Sequence, residues 1–119
     1  MEKFSPKIIK DGTSLAVSLQ NLEGARRIEN IDFILDIDPQ NNEAVGIEII
    51  NLQGQIGDYH LESYTGSVSG LNWSVTYDSN DDVAYVGFQK RQIAKTETKQ
   101  LRGNVLISGD QVVGFECKV

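Results

Sequence analysis

Apolar and polar residues alternate with a period of two along much of this chain. Trp73-Ser74-Val75-Thr76-Tyr77 is apolar at every second position, as are Val45-Gly46-Ile47-Glu48-Ile49 and Val113-Gly114-Phe115-Glu116-Cys117. This is the period of a β-strand with one face buried, because successive side chains point to opposite sides. Phe33-Ile34-Leu35-Asp36-Ile37 and Val105-Leu106-Ile107 are almost continuously apolar, and their brevity and β-branching favour strand over buried helix. Hairpins are predicted where two such runs flank turn residues. One joins Ile8-Ile9 to residues 15–19 around Lys10-Asp11-Gly12-Thr13-Ser14, and the other joins residues 73–77 to 83–88 around Asp78-Ser79-Asn80-Asp81-Asp82. The polar stretches 26–31 and 94–98 show no helical face and read as edge strands, while residues 38–43 and 108–111 carry turn chemistry.

These elements occur twice. The strand at 45–49 returns at 113–117, and Leu15-Ala16-Val17 returns as Val83-Ala84-Tyr85, both at an offset of 68; from Phe33-Ile34-Leu35 to Asn104-Val105-Leu106 the offset is 71, so length changes fall in loops. Residues 1–50 form the first β-repeat, 51–70 a Gly-rich connector and 71–119 the second. Tyr59-His60-Leu61-Glu62-Ser63-Tyr64 in the connector reads as a short strand or a turn of helix. The expected fold is all-β: two repeated antiparallel β-meanders packed as a small sandwich or barrel-like single domain with pseudo-twofold symmetry. Each half is near the lower size limit for an independent core, so one core must be shared. Phe33, Leu35, Ile47, Ile49, Val83, Tyr85, Val105, Ile107, Phe115 and Cys117 are the expected core.

Seventeen acidic residues against 11 Lys and Arg give a net charge of −6, which opposes direct binding to nucleic acid or an anionic membrane. No stretch approaches the length of a membrane span, and the N-terminal residues lack the apolar run of a signal peptide. A single cysteine forms no internal disulfide, so the expected location is a reducing cytoplasm.

Tyr77-Asp78-Ser79-Asn80-Asp81-Asp82-Val83-Ala84-Tyr85-Val86, followed by Gly109-Asp110-Gln111-Val112-Val113-Gly114-Phe115-Glu116, resembles a family of small prokaryotic proteins catalogued as a domain of unknown function. That family combines a Tyr-Asp hairpin and acidic turn with an Asp-x-Asp turn leading into a Val-Gly-Ile-Glu strand. The second half carries the hairpin but lacks Asp-x-Asp. The first half has the complementary elements, Leu35-Asp36-Ile37-Asp38 and Gly46-Ile47-Glu48-Ile49, but shows Ile9-Lys10 in place of Tyr-Asp. The resemblance implies an all-β protein without agreed catalytic residues, and an antitoxin-like accessory role beside a small toxin-like partner.

The residues themselves offer little catalytic chemistry. Read as EF-hand loops, the stretches from Asp36 and from Asp78 place Asn41 and Val83 where glycine is required, and Ile47 and Gln89 where the bidentate glutamate belongs, so both are read as Asx-type turns. Glu48 and Glu116 occupy equivalent strand positions and would form an acid pair only if the symmetry axis brought them together; the plainer reading is two solvated carboxylates. His60 is read as exposed and Cys117 as a buried apolar residue, with no partner for nucleophilic catalysis. Lys90, Arg91, Lys95, Lys99 and Arg102 form a basic stretch read as solvated loop and strand edge.

The leading expectation is therefore a non-enzymatic protein-binding module, without cofactor or metal. It would be an antitoxin-like or inhibitory accessory protein, prokaryotic or viral, that masks a basic partner surface as a monomer or homodimer. Tyr59, Tyr64, Asp78, Asp81 and Asp82 are its candidate contact residues. The alternatives are a structural subunit assembling through sheet edges and a small hydrolase using paired carboxylates drawn from Glu48, Glu116 and Asp36.

Overall fold

The computed structural model describes residues 7–11, 13–61, 63–68, 71–89 and 95–118, with the backbone alone at residues 10, 64–68, 71–73 and 89. The strands are β1 (Lys7–Asp11), β2 (Ser14–Ser18), β3 (Arg26–Asp38), β4 (Glu43–Ile50), β5 (Tyr64–Val68), β6 (Leu71–Asp78), β7 (Val83–Gln89), β8 (Glu97–Ser108) and β9 (Gln111–Lys118), with one short helix, α1 (Leu52–Ile56). They form a single antiparallel sheet in the order β1-β2-β9-β8-β3-β4-β7-β6-β5, curled into a half-barrel. The chain is thus the expected all-β single domain, in its barrel-like form.

The strand order is its own reverse when the two copies are exchanged, leaving β5 as an addition at one end. The pseudo-twofold axis runs between β3 and β8, and Asp32 pairs with Arg102 on it. The copies interlock. β2 pairs with β9 of the other copy, and β4 pairs with β7 of the other copy, whereas β3–β4 and β8–β9 are hairpins within a copy. Each copy departs from a simple meander in this one respect: its first hairpin crosses to the far strand of its partner.

Strand registers give the true equivalences. Val17 faces Phe115 while Val86 faces Ile47, so Val17 corresponds to Val86 at an offset of 69. Leu35 faces Ile47 as Val105 faces Phe115, an offset of 70, and the β-bulges at Asp36/Ile37 and Leu106/Ile107 agree with it. The sequence offsets of 68 and 71 for these strands are corrected accordingly. A one-residue shift moves a strand's side chains to the other face. Ala84 and Val86 are therefore buried, and Val83 and Tyr85, expected in the core, are only half-buried on the outer face.

Phe33, Leu35, Ile47, Ile49, Val105, Ile107, Phe115 and Cys117 are buried as expected, in one cluster with Leu15, Val17, Val75 and Val86. Both copies contribute to this core. Phe33 and Phe115 meet edge to face at 6.2 Å on the two sides of the axis. Gly103 is required beside them, because a Cβ there would lie 2.4 Å from Phe33 Cε2. From the connector, Leu52 of α1 and Leu61 complete the cluster.

The stretches 26–31 and 94–98 are not edge strands. The first opens β3 and the described part of the second leads into β8, the two central strands, whose polar outer positions remain solvated. Among the described residues the edges are β1 and β5, each with one neighbour.

Candidate functional site

The outer face of β3, β4 and β7 carries an unusual set of side chains. Cross-strand register aligns Ile34, Glu48 and Tyr85 in one row, and Ile50 with Val83 and Asp78 in the next. Ile50 is 51% exposed, one of two large apolar side chains so placed among the described residues. A cavity of about 400 Å³ opens beside it, with Asp32, Ile34, Asn51, Gln55 and Gln100 in its wall. Asp32 and Asp78 are exposed at opposite sides of this apolar strip.

A third row contains Asp36, Gly46, Gly87 and Ser74. The two glycines leave room for large neighbours. A Cβ on Gly46 would lie 3.2 Å from Asp36 Oδ2 and 3.3 Å from Tyr85 Oη, so the carboxyl and the phenol converge over that glycine. Asp36 is only 4% exposed. Burial, a hydrogen bond with Glu48 and the like charge of Glu48 push its carboxyl up to about 7.

The equivalent face around the axis has diverged. Asn104 stands for Ile34, Lys118 for Ile50, Ser14 for Val83, Ala16 for Tyr85 and Leu106 for Asp36. Leu22 packs with Leu106 over Gly114 there. Glu116, the counterpart of Glu48, accepts hydrogen bonds from Arg27 Nε and, at 2.9 Å, from Asn104 Nδ2. The Arg27 hydrogen bond foremost, with Asn104 and the Arg27 charge, outweighs burial and holds it below the usual carboxylate range. It borders a cavity of about 440 Å³ shared with Ser14, Asn30, Arg102 and Lys118. Glu48 lies on β4 and Glu116 on β9, with β3 and β8 between them, so the two do not pair. The carboxyl pair that does exist, Asp36 with Glu48, joins adjacent strands of one copy.

The five contact residues expected from sequence have separate roles. Asp82 serves α1, whose N-cap residue Asn51 makes no side-chain cap. Its carboxylate accepts from Gln53 N at 2.9 Å, Gly54 N at 3.1 Å and the Tyr77 hydroxyl at 2.6 Å, and its backbone oxygen accepts from Leu52 N. Burial raises its affinity for a proton, but those hydrogen bonds outweigh burial and hold the carboxyl below its usual value. The same Tyr77–Asp82 bond, with burial and the surrounding aspartates, pushes the phenol up to about 12. Asp78 accepts from Asn80 N in an Asx turn, matched by Asp38 and Gln40 N in the β3–β4 turn. Those are the two stretches that begin like calcium loops. Asp81 is exposed.

Tyr59 is half-buried against the core, with the Arg26 guanidinium 5.5 Å over its ring and hydrogen-bonded to its hydroxyl. It is not the exposed contact residue expected. Tyr64 begins β5, far along the sheet from β9, and its side chain lies outside the described set. Gln53 links the others: it donates from its backbone to Asp82 and from its side chain to the Tyr59 carbonyl. His60 is exposed, and its backbone bridges to β9. Cys117 is buried, which pushes its thiol up to about 11. Of the basic stretch, Lys90 and Arg91 lie outside the described residues, and Lys95, Lys99 and Arg102 are exposed.

Among the described residues no three His, Cys, Asp or Glu side chains are grouped to hold a metal ion, and no helix is long and apolar enough to cross a membrane. Comparison with protein-family models, with curated proteins and with solved structures finds no match.

Proposed function

We propose that this chain is a non-enzymatic protein-binding module, an antitoxin-like or inhibitory accessory protein that docks a basic, partly apolar segment of its partner. The observation that carries this reading is the strip of Ile34, Ile50, Val83 and Tyr85 on the outer sheet face, open to solvent at Ile50 and flanked by Asp32 and Asp78. An apolar centre with a charged rim is the usual anatomy of a protein interface. The divergence of the symmetry-related face supports it: the same scaffold carries Lys118, Ser14 and Ala16 where no apolar strip is kept. The −6 net charge adds long-range attraction for a basic partner.

Affinity capture from the native cell, followed by rebinding of the purified partner, tests this. Ile50→Lys is expected to weaken binding at least tenfold, mainly through dissociation, and Asp78→Ala with Asp81→Ala to slow association in a salt-dependent way. Binding unaffected by all three substitutions would refute the reading. The second reading, a structural subunit, rests on the edge strands β1 and β5 and on Ile9 of β1, which is 56% exposed. Light scattering separates the two: a discrete monomer or dimer supports docking, and concentration-dependent open assembly supports the edges.

A further inference from the structure

Asp36 interrupts the apolar run of β3 immediately before the bulge, and its carboxyl is buried on the outer face. Glu48 from β4 is hydrogen-bonded to it, and Tyr85 from β7 reaches over Gly46 toward the same space. Across the β3–β8 seam Thr98 is opposite Asp36, while Glu97 and Lys99 alternate onto the other face. β6 presents Ser74, near Gly87. On β3 itself Asp38 lies beyond the bulge and accepts from Gln40 N. Among the described residues, then, no cation faces the pair. Two hydrogen-bonded carboxyls in such a place hold a proton between them, since neither oxygen can donate once both are ionised.

We infer that Asp36 and Glu48 form a proton-operated latch across the β3–β4 hairpin, closed while they share a proton and opened as it is lost toward alkaline pH. Loss of the proton replaces a hydrogen bond by repulsion between adjacent strands beside a bulge, where the ladder is already interrupted. It also adds a negative charge to the row of Asp36, Gly46 and Gly87, next to the row of Ile34 and Tyr85. The pseudosymmetric position provides an internal control. There Leu106 replaces Asp36, and Arg27 and Asn104 keep Glu116 ionised, so the same fold carries a latch on one side only. The latch acts whether or not a partner docks.

The sign follows from linkage. A carboxyl that binds its proton more tightly folded than unfolded gives stability that is complete below the unfolded value and disappears as pH rises through the folded value. With Asp36 moved from 3.8 to about 7, the unfolding constant should rise on the order of 100-fold between pH 5 and pH 8. Urea denaturation of the full chain across that range tests it, with Asp36→Asn, Glu48→Gln and Glu116→Gln beside the wild type. The expected result is a steep rise for the wild type and Glu116→Gln and a flattened one for Asp36→Asn and Glu48→Gln. Carbon-13 NMR of the wild-type carboxyls needs no variant to fold, and should show Asp36 titrating near neutrality. A wild-type slope retained by Asp36→Asn, or an Asp36 carboxyl titrating near 4, would overturn the latch.

Discussion

Replacing Asp82 by Ala removes the group that secures the start of α1 and joins it to the β6–β7 turn. Three hydrogen bonds are lost, from Gln53 N, Gly54 N and the Tyr77 hydroxyl. Loss of an N-cap acceptor costs about 1 kcal/mol, and a hydrogen bond to a charged group contributes about 1.5–3 kcal/mol. The residue also sits at φ 55°, in the left-handed region that aspartate tolerates better than alanine. Since the site is half-exposed and water replaces part of what is lost, the expected destabilisation is about 3 kcal/mol at pH 7. Asp82→Asn keeps an acceptor and the backbone preference, and should cost about 1 kcal/mol. Urea denaturation with a constant slope would read both. Because the folded carboxyl is held below its usual value, its contribution is complete above about pH 4 and is lost as pH falls through the folded value. The gap between wild type and Asp82→Ala should therefore narrow in acid. An alanine variant within 0.5 kcal/mol of wild type at pH 7, on the scale of an ordinary surface change, would refute the capping role.

Gly103→Ala places a methyl group against Phe33 and the Glu116 carbonyl oxygen, and is expected to cost about 1–3 kcal/mol by overpacking, measured in the same way. Fragments 1–50 and 51–119 should each be poorly folded alone, because each hairpin finds its neighbour in the other fragment. Mixed, they should form a one-to-one complex with the far-ultraviolet spectrum of the intact chain; cooperative melting of either fragment as a monomer would contradict the shared core.

Period-two alternation was sufficient to place the strands at 45–49 and 113–117, since each has one clear apolar face. It failed in β7, where Val83-Ala84-Tyr85-Val86-Gly87-Phe88 is apolar on both faces and nothing local selects which one is buried. The crossing of the hairpins was also hidden, because pairing partners are chosen by the shared core and not by local pattern. Asp82 resembled a solvated turn residue because the amides it caps lie 28 and 29 residues away. Asp36 did leave a signal: a lone carboxyl inside an apolar run has to be paired. Its partner, Glu48, is equivalent in position to Glu116 and reads from sequence as a solvated carboxylate, whereas the β3–β4 hairpin brings it to Asp36.

The interlocked arrangement of the two copies is tested most directly by cross-strand nuclear Overhauser contacts in the intact chain. The account predicts backbone contacts of Val17 with Phe115 and of Ile47 with Val86, together with Phe33 to Leu101 across the central seam. Contacts of β2 with β3 and of β7 with β8, with none between β2 and β9 or between β4 and β7, would mean that each copy folds as a self-contained meander and would contradict it.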